Sequence, residues 1–287
     1  MIFVVSLPSI ESRYTGQWKE WVSKYAKDNP EKNIVLMGND TEYRIPPTEF
    51  LSFRDYYSYV FPLLSSVVKE VSNGDIVFFM DGETAGVEAF EYLRKMEGIN
   101  VEIRTFWHSG TYDTNDLTFK RHVNGADFER GWFNIADKIY VGSSFHKEMI
   151  LKQRAIDDES KIIVSGNPLD VKELDAISKN KGSKHSIVFA GRLVSEKGYD
   201  IVKKLRAEKG LDRLATMEHN FGKSEYYSIL SNADVLFHPS KQDTFCIACM
   251  EAFGLGTPIL VPDTPVYRSL IPSRYRYKDL DDIDWGG

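Results

Sequence analysis

Hydrophobic and polar positions along the chain follow two alternating patterns. Short runs rich in β-branched and aromatic residues are separated by longer segments whose apolar residues recur at helical spacing. The short runs predict one series of strands at residues 2–7, 33–37, 75–80, 101–107, 138–141 and 161–164, and a second series at 186–190, 214–217, 233–238 and 258–261. Because strands that alternate with helices build parallel sheets, the pattern predicts an α/β fold.

A polar stretch separates the two series of strands. Residues 170–184 are rich in lysine, serine, asparagine and aspartate, which indicates a short helix followed by a linker. With 287 residues the chain is long enough for two hydrophobic cores. We therefore predict two lobes, residues 1–170 and residues 171–287.

Composition narrows the setting of the protein. The formal net charge of −6 gives no overall attraction to nucleic acid or anionic lipid, although it is compatible with a local basic face. No stretch reaches the roughly 18 uncharged apolar residues of a membrane span, and residues 1–7 lack the basic flank of a signal peptide. The two cysteines, Cys246 and Cys249, lie too close together for a secreted disulfide framework. These features predict a cytoplasmic protein with no membrane partner and no obligate protein partner.

The clearest chemical signal opens the second lobe. The predicted strand at 186–190 leads into Gly191 and Arg192, and Lys197 and Gly198 follow after a short turn. In open α/β folds ligands bind at the carboxyl ends of the strands, so both cations are expected at that edge of the sheet. A guanidinium and an ammonium there suit a diphosphate. The alternative is that both are ordinary surface cations near a helix start.

A second signal follows the predicted strand at 233–238. That strand ends at Pro239, Asp243 lies in the next loop, and a helix is predicted to begin near Thr244. The free backbone N–H groups of a helix start form an anion site. Asp243 and Glu251 are eight positions apart, which predicts that both lie on one side of this helix, one facing a sugar and the other a nucleoside.

Together these two segments resemble the large retaining GT-B glycosyltransferase family. Its signatures are a G-R-L-x-x-E-K-G loop, here at 191–198, and an acidic pair with seven residues between, followed by E-A-x-x-x-G-x-P, here at 251–258. The resemblance implies two Rossmann-like lobes with parallel sheets and a cleft between them. It also implies a nucleotide-diphosphate sugar as donor, with UDP as the favoured nucleotide, and no metal or other cofactor. The second lobe is shortened, because only 35 residues separate Gly198 from Asp234.

The resemblance also assigns roles to residues of the second lobe. Arg192 and Lys197 would neutralise the diphosphate, Glu251 would bind the ribose and Asp243 would contact the donor sugar. The family usually has Glu at the position of Asp243, so the sugar either sits deeper or is a different one, such as a pentose. The residues expected to bind the donor are Gly191, Arg192, Lys197, His219, Asp243, Thr244, Phe245 and Glu251. The base-binding pocket is expected to be replaced by residues 219–222, which include His219.

The first lobe matches the family by pattern alone. The family often carries a histidine at the end of a central strand, near the anomeric carbon of the donor, and His108 occupies such a place. The residues expected to act in catalysis are therefore His108, Arg192, Lys197 and Asp243. Polar and aromatic residues also follow the other predicted strands of this lobe. Those expected to bind the acceptor are Arg13, Tyr14, Asp81, His108 and Tyr112, with loop and helix-cap roles as the alternative.

Taken together, these first-lobe segments resemble a group of bacteriophage glycosyltransferases that hypermodify DNA bases. The implied acceptor is a hydroxymethylated pyrimidine in duplex DNA, and the setting is then the cytoplasm of the host. Tyr14 and Trp107 would hold a flipped base by stacking. The cations expected to contact DNA phosphates are Arg13, Lys19, Arg44, Arg54, Lys120 and Arg121. The alternatives are a saccharide or small-molecule acceptor, a nucleotide-sugar-binding protein without catalysis, or a GT-B enzyme of another reaction type, such as a sugar epimerase or phosphorylase.

Three further motifs receive structural interpretations. Cys246 and Cys249 are expected on the helix after Asp243 as small packed residues, since no second cysteine pair completes a zinc or redox motif. Gly254 and Gly256 are expected to form a helix C-cap and turn. The acidic end, residues 279–284, is expected to be a solvated tail, although its D-x-D sequence formally matches a metal-binding motif. We therefore predict no metal ligands.

Overall fold

The computed structural model describes the chain apart from residues 11–12, 47, 117, 120–123, 157, 179–186, 210–214, 217–220, 242 and 286–287. The chain divides into two compact units, Met1–Gly166 and Asn167–Gly287. Helix Val171–Ser178, which the sequence places near the boundary, packs against helices of the second unit through the buried Leu174. Among the described residues, none of the helices is both long enough and apolar enough to cross a bilayer.

The first unit is built on a six-stranded sheet. Its strands, together with a separate two-stranded pair, are β1 (Ile2–Val5), β2 (Ser9–Ile10), β3 (Ile34–Met37), β4 (Glu42–Tyr43), β5 (Ile76–Phe79), β6 (Glu102–Trp107), β7 (Lys138–Val141) and β8 (Ile162–Val164). The sheet order is β3, β1, β5, β6, β7, β8, and every neighbouring pair is parallel. Strands β2 and β4 form the parallel pair.

Helices connect these strands and supply the rest of the core. They are α1 (Tyr14–Asp28), α2 (Phe53–Glu70), α3 (Val87–Tyr92), α4 (Gly125–Ile135) and α5 (Ser144–Arg154). A π-helical turn, Leu93–Glu97, continues α3, and 3-10 turns cover Pro30–Lys32 and Glu159–Lys161. Phe3, Val77 and Ile103 lie in register on neighbouring strands and are fully buried. The apolar side chains of these strands therefore pack against the helices and form the core of the first unit.

The second unit repeats the architecture on a smaller scale. Its strands are β9 (Ile187–Phe189), β10 (Ala215–Thr216), β11 (Val235–Phe237), β12 (Ile259–Pro262) and β13 (Arg276–Tyr277), in the sheet order β10, β9, β11, β12, β13, all parallel. Its helices are α6 (Val171–Ser178), α7 (Tyr199–Lys209), α8 (Lys223–Ser231), α9 (Ile247–Gly254) and α10 (Pro265–Leu270), with 3-10 turns at Ser195–Lys197, Ser273–Tyr275 and Leu280–Asp282. Val188, Leu236 and Ile259 lie in register and are buried.

The predicted α/β fold with two parallel sheets is confirmed. Each of the ten predicted runs contains a strand, and β2, β4 and β13 are additional short strands that the pattern did not indicate. The prediction of a solvated tail is wrong for part of the acidic end. Leu280, Ile283 and Trp285 pack against the core of the second unit, with the rings of Trp285 and Phe237 5.1 Å apart, while the aspartates between them are exposed.

Candidate functional site

Two loops of the second unit meet where neighbouring strands β9 and β11 end. The backbone N–H of Lys241 donates to the carbonyl oxygen of Glu196 at 3.1 Å, which joins the loop after β11 to the loop after β9. Gly198 has a φ of +78°, and a Cβ atom there would lie 2.3 Å from the carbonyl oxygen of Pro239. Glycine is therefore required for this close approach of the two loops.

Arg192 is held inside its own loop. Its Nη2 donates to Oε1 of Glu196 at 2.5 Å, and both side chains are about four-fifths buried, with 21% and 22% exposed. The two residues belong to the same G-R-L-x-x-E-K-G segment. A diphosphate oxygen that binds this guanidinium must share it with the Glu196 carboxylate or displace it.

Asp243 is the centre of a polar cluster at the same edge of the sheet. Lys197 Nζ donates to its Oδ1 at 3.0 Å, while His238 Nε2 and Tyr267 Oη donate to its Oδ2 at 2.9 Å and 2.7 Å. Burial by itself raises the pKa of Asp243, but Lys197, His238 and Tyr267 outweigh it and hold the pKa well below its usual range. The carboxylate is therefore ionised, and the cluster brings together a cation and an anion that the sequence places 46 positions apart.

The ring of His238 responds to the same charges. Burial lowers the pKa of His238, but Cys246 and Asp243 act in the opposite direction and raise it to about 10. Burial and the neighbouring Asp243 raise the pKa of the Tyr267 phenol. Both groups therefore keep their protons at neutral pH and remain hydrogen-bond donors to Asp243.

The helix after Asp243 begins later than predicted. Helix α9 starts at Ile247 rather than near Thr244, and its N-cap residue is Cys246 with a left-handed φ of +60°. Thr244 and Phe245 are half-buried in the connecting turn. Asp243 therefore precedes the helix, and the prediction that Asp243 and Glu251 share one side of it is wrong. The cause is the left-handed backbone at Cys246. The prediction counted all eight positions from Asp243 to Glu251 as helical and could not detect this turn.

Glu251 lies on α9 and is almost completely buried. Its Oε1 accepts hydrogen bonds from Lys223 Nζ at 2.6 Å and Tyr227 Oη at 3.2 Å, and its Oε2 accepts one from Tyr226 Oη at 2.7 Å. All three donors belong to α8. Sequence reasoning missed them, although their spacing of three and four residues places them on one helix face. The predicted donor-binding residue His219 lies outside the described residues.

In the first unit, His108 follows β6, one of the inner strands of the sheet. Its Nε2 lies 2.8 Å from the carbonyl oxygen of Met80, and its Nδ1 lies 3.3 Å from Tyr14 Oη. A carbonyl oxygen only accepts, so Nε2 carries the hydrogen and Nδ1 accepts from the tyrosine. Burial lowers the pKa of His108, against the opposing charge of Asp81. The ring is therefore neutral at neutral pH, and Tyr14 and Trp18 pack against it.

Other residues predicted to meet the acceptor divide into two groups. Asp81 accepts a hydrogen bond from Tyr56 Oη at 3.2 Å and is half-buried, and Arg13 donates to the backbone oxygen of Glu49 at 2.6 Å. Tyr112 and Trp107 are instead buried, with 4% and 1% of their surfaces exposed. The expectation that Trp107 stacks on a flipped base does not fit this position, because its ring packs in the core against Phe133 at 4.2 Å.

A comparison of the chain with known families tests the second unit directly. Residues 152–276 match the family model described as Glycosyl transferases group 1, and this stretch contains both loops together with Glu196, Asp243 and Glu251. The protein is a glycosyltransferase. No curated protein sequence matches the chain significantly.

Solved structures show that this glycosyltransferase has the GT-B fold. It is similar to sucrose-phosphate synthase from Thermosynechococcus elongatus, with a TM-score of 0.60, 15% identity, and 93% of this chain and 82% of that one covered. It is similar to an α,α-trehalose-phosphate synthase (UDP-forming) from Burkholderia vietnamiensis, with a TM-score of 0.61, 10% identity and coverages of 93% and 86%. It is also similar to Anabaena HepE, solved with UDP and glucose, with a TM-score of 0.57, 14% identity and coverages of 93% and 82%.

A buried ion pair fixes the loop that follows His108 in this glycosyltransferase. Arg154 Nε donates to Glu129 Oε2 at 2.6 Å, and the same carboxylate accepts from the backbone N–H of Thr111 at 2.5 Å. Tyr112 Oη lies 2.5 Å from His146 Nε2, and Arg154 packs over the Tyr112 ring. Tyr112 therefore anchors the loop from inside the core, so the structure does not present it to an acceptor.

Proposed function

We propose that this glycosyltransferase moves a sugar from a nucleotide-diphosphate donor to a hydroxyl group, with retention at the anomeric carbon and without a metal ion at the diphosphate. The observation that carries the donor assignment is the meeting of Lys197, Asp243 and Arg192 at the ends of neighbouring strands β9 and β11. This edge of a parallel sheet is where ligands bind in open α/β folds.

The electrostatics of this edge suit a departing diphosphate. Phosphate oxygens compete with Glu196 for Arg192 and with Asp243 for Lys197, so both cations are already held in place before the donor arrives. Cations fixed in advance stabilise the negative charge that develops on the leaving group without reorganising during the reaction. In this mechanism the acceptor hydroxyl attacks from the face that the diphosphate leaves.

Two observations support the other donor contacts. Glu251 is buried beside Lys223 and two tyrosines, and its carboxylate is the proposed acceptor for ribose hydroxyls. Asp243 is the proposed contact to the sugar. UDP is the favoured nucleotide, since the structural neighbour HepE was solved with UDP and glucose.

The test is a thermal-shift screen of nucleotide sugars, followed by turnover of the best donor without added divalent cations and NMR assignment of the product anomer. Stabilisation by UDP-sugars and turnover without Mg²⁺ or Mn²⁺ are expected. A strict requirement for either ion contradicts the proposed mechanism, and an inverted product contradicts retention.

The favoured acceptor is a hydroxymethylated pyrimidine in bacteriophage duplex DNA. An aromatic row on α2 supports it, in which Phe53 and Phe61 are exposed and Tyr57 is half-buried. The rings of Phe53 and Tyr57 lie 6.4 Å apart and those of Tyr57 and Phe61 5.1 Å apart, all nearly parallel. Arg54 is exposed at the start of the same helix. Aromatic faces stack on unpaired bases, and cations beside them neutralise phosphates.

A saccharide acceptor is the second candidate. The structural neighbours include enzymes named for sucrose-phosphate and trehalose-phosphate synthesis, and aromatic rows pack against sugar rings as well as bases. Mass analysis separates the candidates: an added sugar mass on hydroxymethylated duplex supports DNA, whereas transfer to oligosaccharides alone supports a saccharide acceptor.

A further inference from the structure

Three residues of metal-binding types lie together in the second unit, and one of them, His238, also belongs to the polar cluster around Asp243. His238 directly follows β11, Cys246 is the N-cap of α9, and Cys249 lies in the first turn of α9. All three are buried, and one ligand atom from each lies within 4.8 Å of the other two. Apart from the hydrogen bond from His238 to Asp243, this set, called here the His–Cys–Cys cluster, has no role in the proposed glycosyl transfer.

The two sulfurs are unusually close. Cys246 Sγ and Cys249 Sγ lie 2.7 Å apart, which is longer than the ~2.05 Å of a disulfide bond. It is also closer than two thiols that merely pack as apolar groups. The left-handed backbone of Cys246 turns its side chain toward the first helical turn, so the local fold itself brings the sulfurs together. Both sulfurs are therefore within reach of one shared partner, such as a metal ion.

The imidazole has one nitrogen left for such a partner. His238 Nε2 donates to Asp243 Oδ2 at 2.9 Å, while Nδ1 is buried and makes no hydrogen bond of ordinary geometry within the described part of the chain. A histidine that binds a metal ion usually donates its other ring N–H to a carboxylate, which fixes the ring and its tautomer. Asp243 and His238 form this pair, and it is an observation independent of the cysteines.

We propose that His238 Nδ1, Cys246 Sγ and Cys249 Sγ bind one Zn²⁺ ion, with Asp243 as the residue that positions the imidazole. Two thiolates and a neutral imidazole are ligands that Zn²⁺ prefers, and two thiolates balance its charge. Each ligand atom gives up its proton to solvent on binding. With Zn–S bonds of about 2.3 Å, a tetrahedral site separates the sulfurs to about 3.8 Å. This opening of about 1 Å is within reach of side-chain rotation.

The proposed zinc ion differs from a catalytic metal ion that binds the donor diphosphate. The ion is proposed on Nδ1 of His238, whereas Asp243 Oδ2 accepts from Nε2 of the same ring, so the imidazole links the ion to this carboxylate. The inference goes beyond the proposed function and does not depend on it, because metal content is measured without donor or acceptor. The proposal is an alternative to the interpretation of Cys246 and Cys249 as small packed residues.

The first experiment measures metal content and ligand identity in the intact protein. The chain is purified under reducing conditions without added metal, and its zinc is determined by elemental mass spectrometry. About one zinc per chain is expected. Exchange with Co²⁺ is expected to give thiolate-to-cobalt charge-transfer absorption in the near ultraviolet. A metal-free protein whose reduced thiols bind neither Zn²⁺ nor Co²⁺, or one with a Cys246–Cys249 disulfide in place of the metal, overturns the proposal.

Variants separate ligand loss from unfolding. Cys246→Ser and Cys249→Ser are each expected to abolish stoichiometric zinc, while the matched control Met250→Leu, which removes a neighbouring sulfur from the same helix, retains it. Asp243→Asn keeps all three ligands and is expected to weaken Zn²⁺ affinity about 10- to 100-fold, the usual effect of losing such a partner. If the serine variants fold poorly, the Zn²⁺ affinities of Asp243→Asn and of the unmodified chain still test the proposal. Each affinity is measured by letting the protein compete with a chromophoric chelator for Zn²⁺. Equal affinities remove Asp243 from the proposal, and full zinc in folded serine variants removes the cysteines.

Discussion

Lys197 Nζ lies 3.0 Å from Asp243 Oδ1 and joins the loop after β9 to the loop after β11. Both side chains are mostly buried, with 14% and 13% exposed. The ion pair holds the cation where a donor diphosphate is proposed to bind. The first prediction tests that cation.

Lys197→Ala and Arg192→Ala are each expected to lower kcat/KM by about ten- to hundredfold, because a charge-assisted contact contributes roughly 1.5–3 kcal/mol. Steady-state kinetics over a donor series measures the loss, and circular dichroism checks the fold. Lys203→Ala is the control, since Lys203 is an exposed cation of α7 paired with Asp200. Near-normal turnover in a folded Lys197→Ala or Arg192→Ala variant removes that residue from the diphosphate site.

The proposed roles of Glu251 and Asp243 are distinguished by how substitutions at each residue change donor affinity. Glu251→Gln keeps the size of the side chain but removes the charge beside Lys223, so affinity is expected to fall for every sugar on the same nucleotide. Asp243→Glu is expected to change the order of affinities among donors that differ only in the sugar, while the affinity for free nucleotide diphosphate stays the same. Calorimetric titration measures both, with the exposed Glu225→Gln on α8 as control. An unchanged ranking in Asp243→Glu removes Asp243 from the sugar site.

Much of the fold was predictable from sequence, and the site less so. Apolar runs such as Ile187–Phe189 indicate strands because a parallel sheet buries both faces. The start of α9 was misplaced because one left-handed residue, Cys246, delays it. The partners of Glu251 and the burial of Tyr112 depend on contacts between elements distant in sequence, which local pattern does not encode. The motif predicted that Lys197 and Asp243 lie at one edge of the sheet, but not that they pair or that His238 and Tyr267 donate to Asp243.

Gly198 is predicted to be irreplaceable where its loop meets Pro239. Gly198→Ala is expected to lower the free energy of unfolding by more than about 2 kcal/mol, since it adds a clash with the Pro239 carbonyl to the left-handed strain of roughly 1–2 kcal/mol. Gly74→Ala is the matched control, because Gly74 also has a positive φ, +83°, but no heavy atom within 4 Å of the added methyl group. Urea unfolding measures both variants, and equal losses would show that the loop contact adds nothing.

The buried His146 is expected to make the first unit sensitive to acid. Burial lowers its pKa from 6.5 to about 3, with His108 adding to the effect. Below pH 6.5 the unfolded chain binds a proton that the folded chain does not, so stability falls as pH falls toward 3. Between pH 6.5 and pH 5 this group is expected to lower the free energy of unfolding by about 2 kcal/mol. Urea unfolding of the intact protein and of His146→Gln measures it, and a variant with an unchanged pH slope contradicts the assignment.

The acceptor is tested by the salt dependence of binding. If duplex DNA is the acceptor, the logarithm of the association constant is expected to fall against the logarithm of salt concentration with a slope of about −0.9 per phosphate neutralised. The chain carries a net charge of −6, so the phosphate contacts must come from a local group of cations. Of the candidates, Arg13, Lys19, Arg44 and Arg54 lie in the described part of the first unit, whereas Lys120 and Arg121 lie outside the described residues.

Substitution of Arg54 tests the DNA proposal most directly, because Arg54 is exposed beside the aromatic row on α2. Arg54→Gln is expected to reduce the magnitude of the salt slope by about one and to weaken binding equally for different DNA sequences. Lys24→Gln is the control, since Lys24 is an exposed cation of α1 with only Asp28 as an ion-pair partner among the described residues. Fluorescence anisotropy with a hydroxymethylated duplex at several salt concentrations measures both variants. A flat salt response in the unmodified protein, together with no sugar on the duplex, would reject DNA and leave the saccharide acceptor, because the donor site of the second unit does not depend on which acceptor the first unit binds.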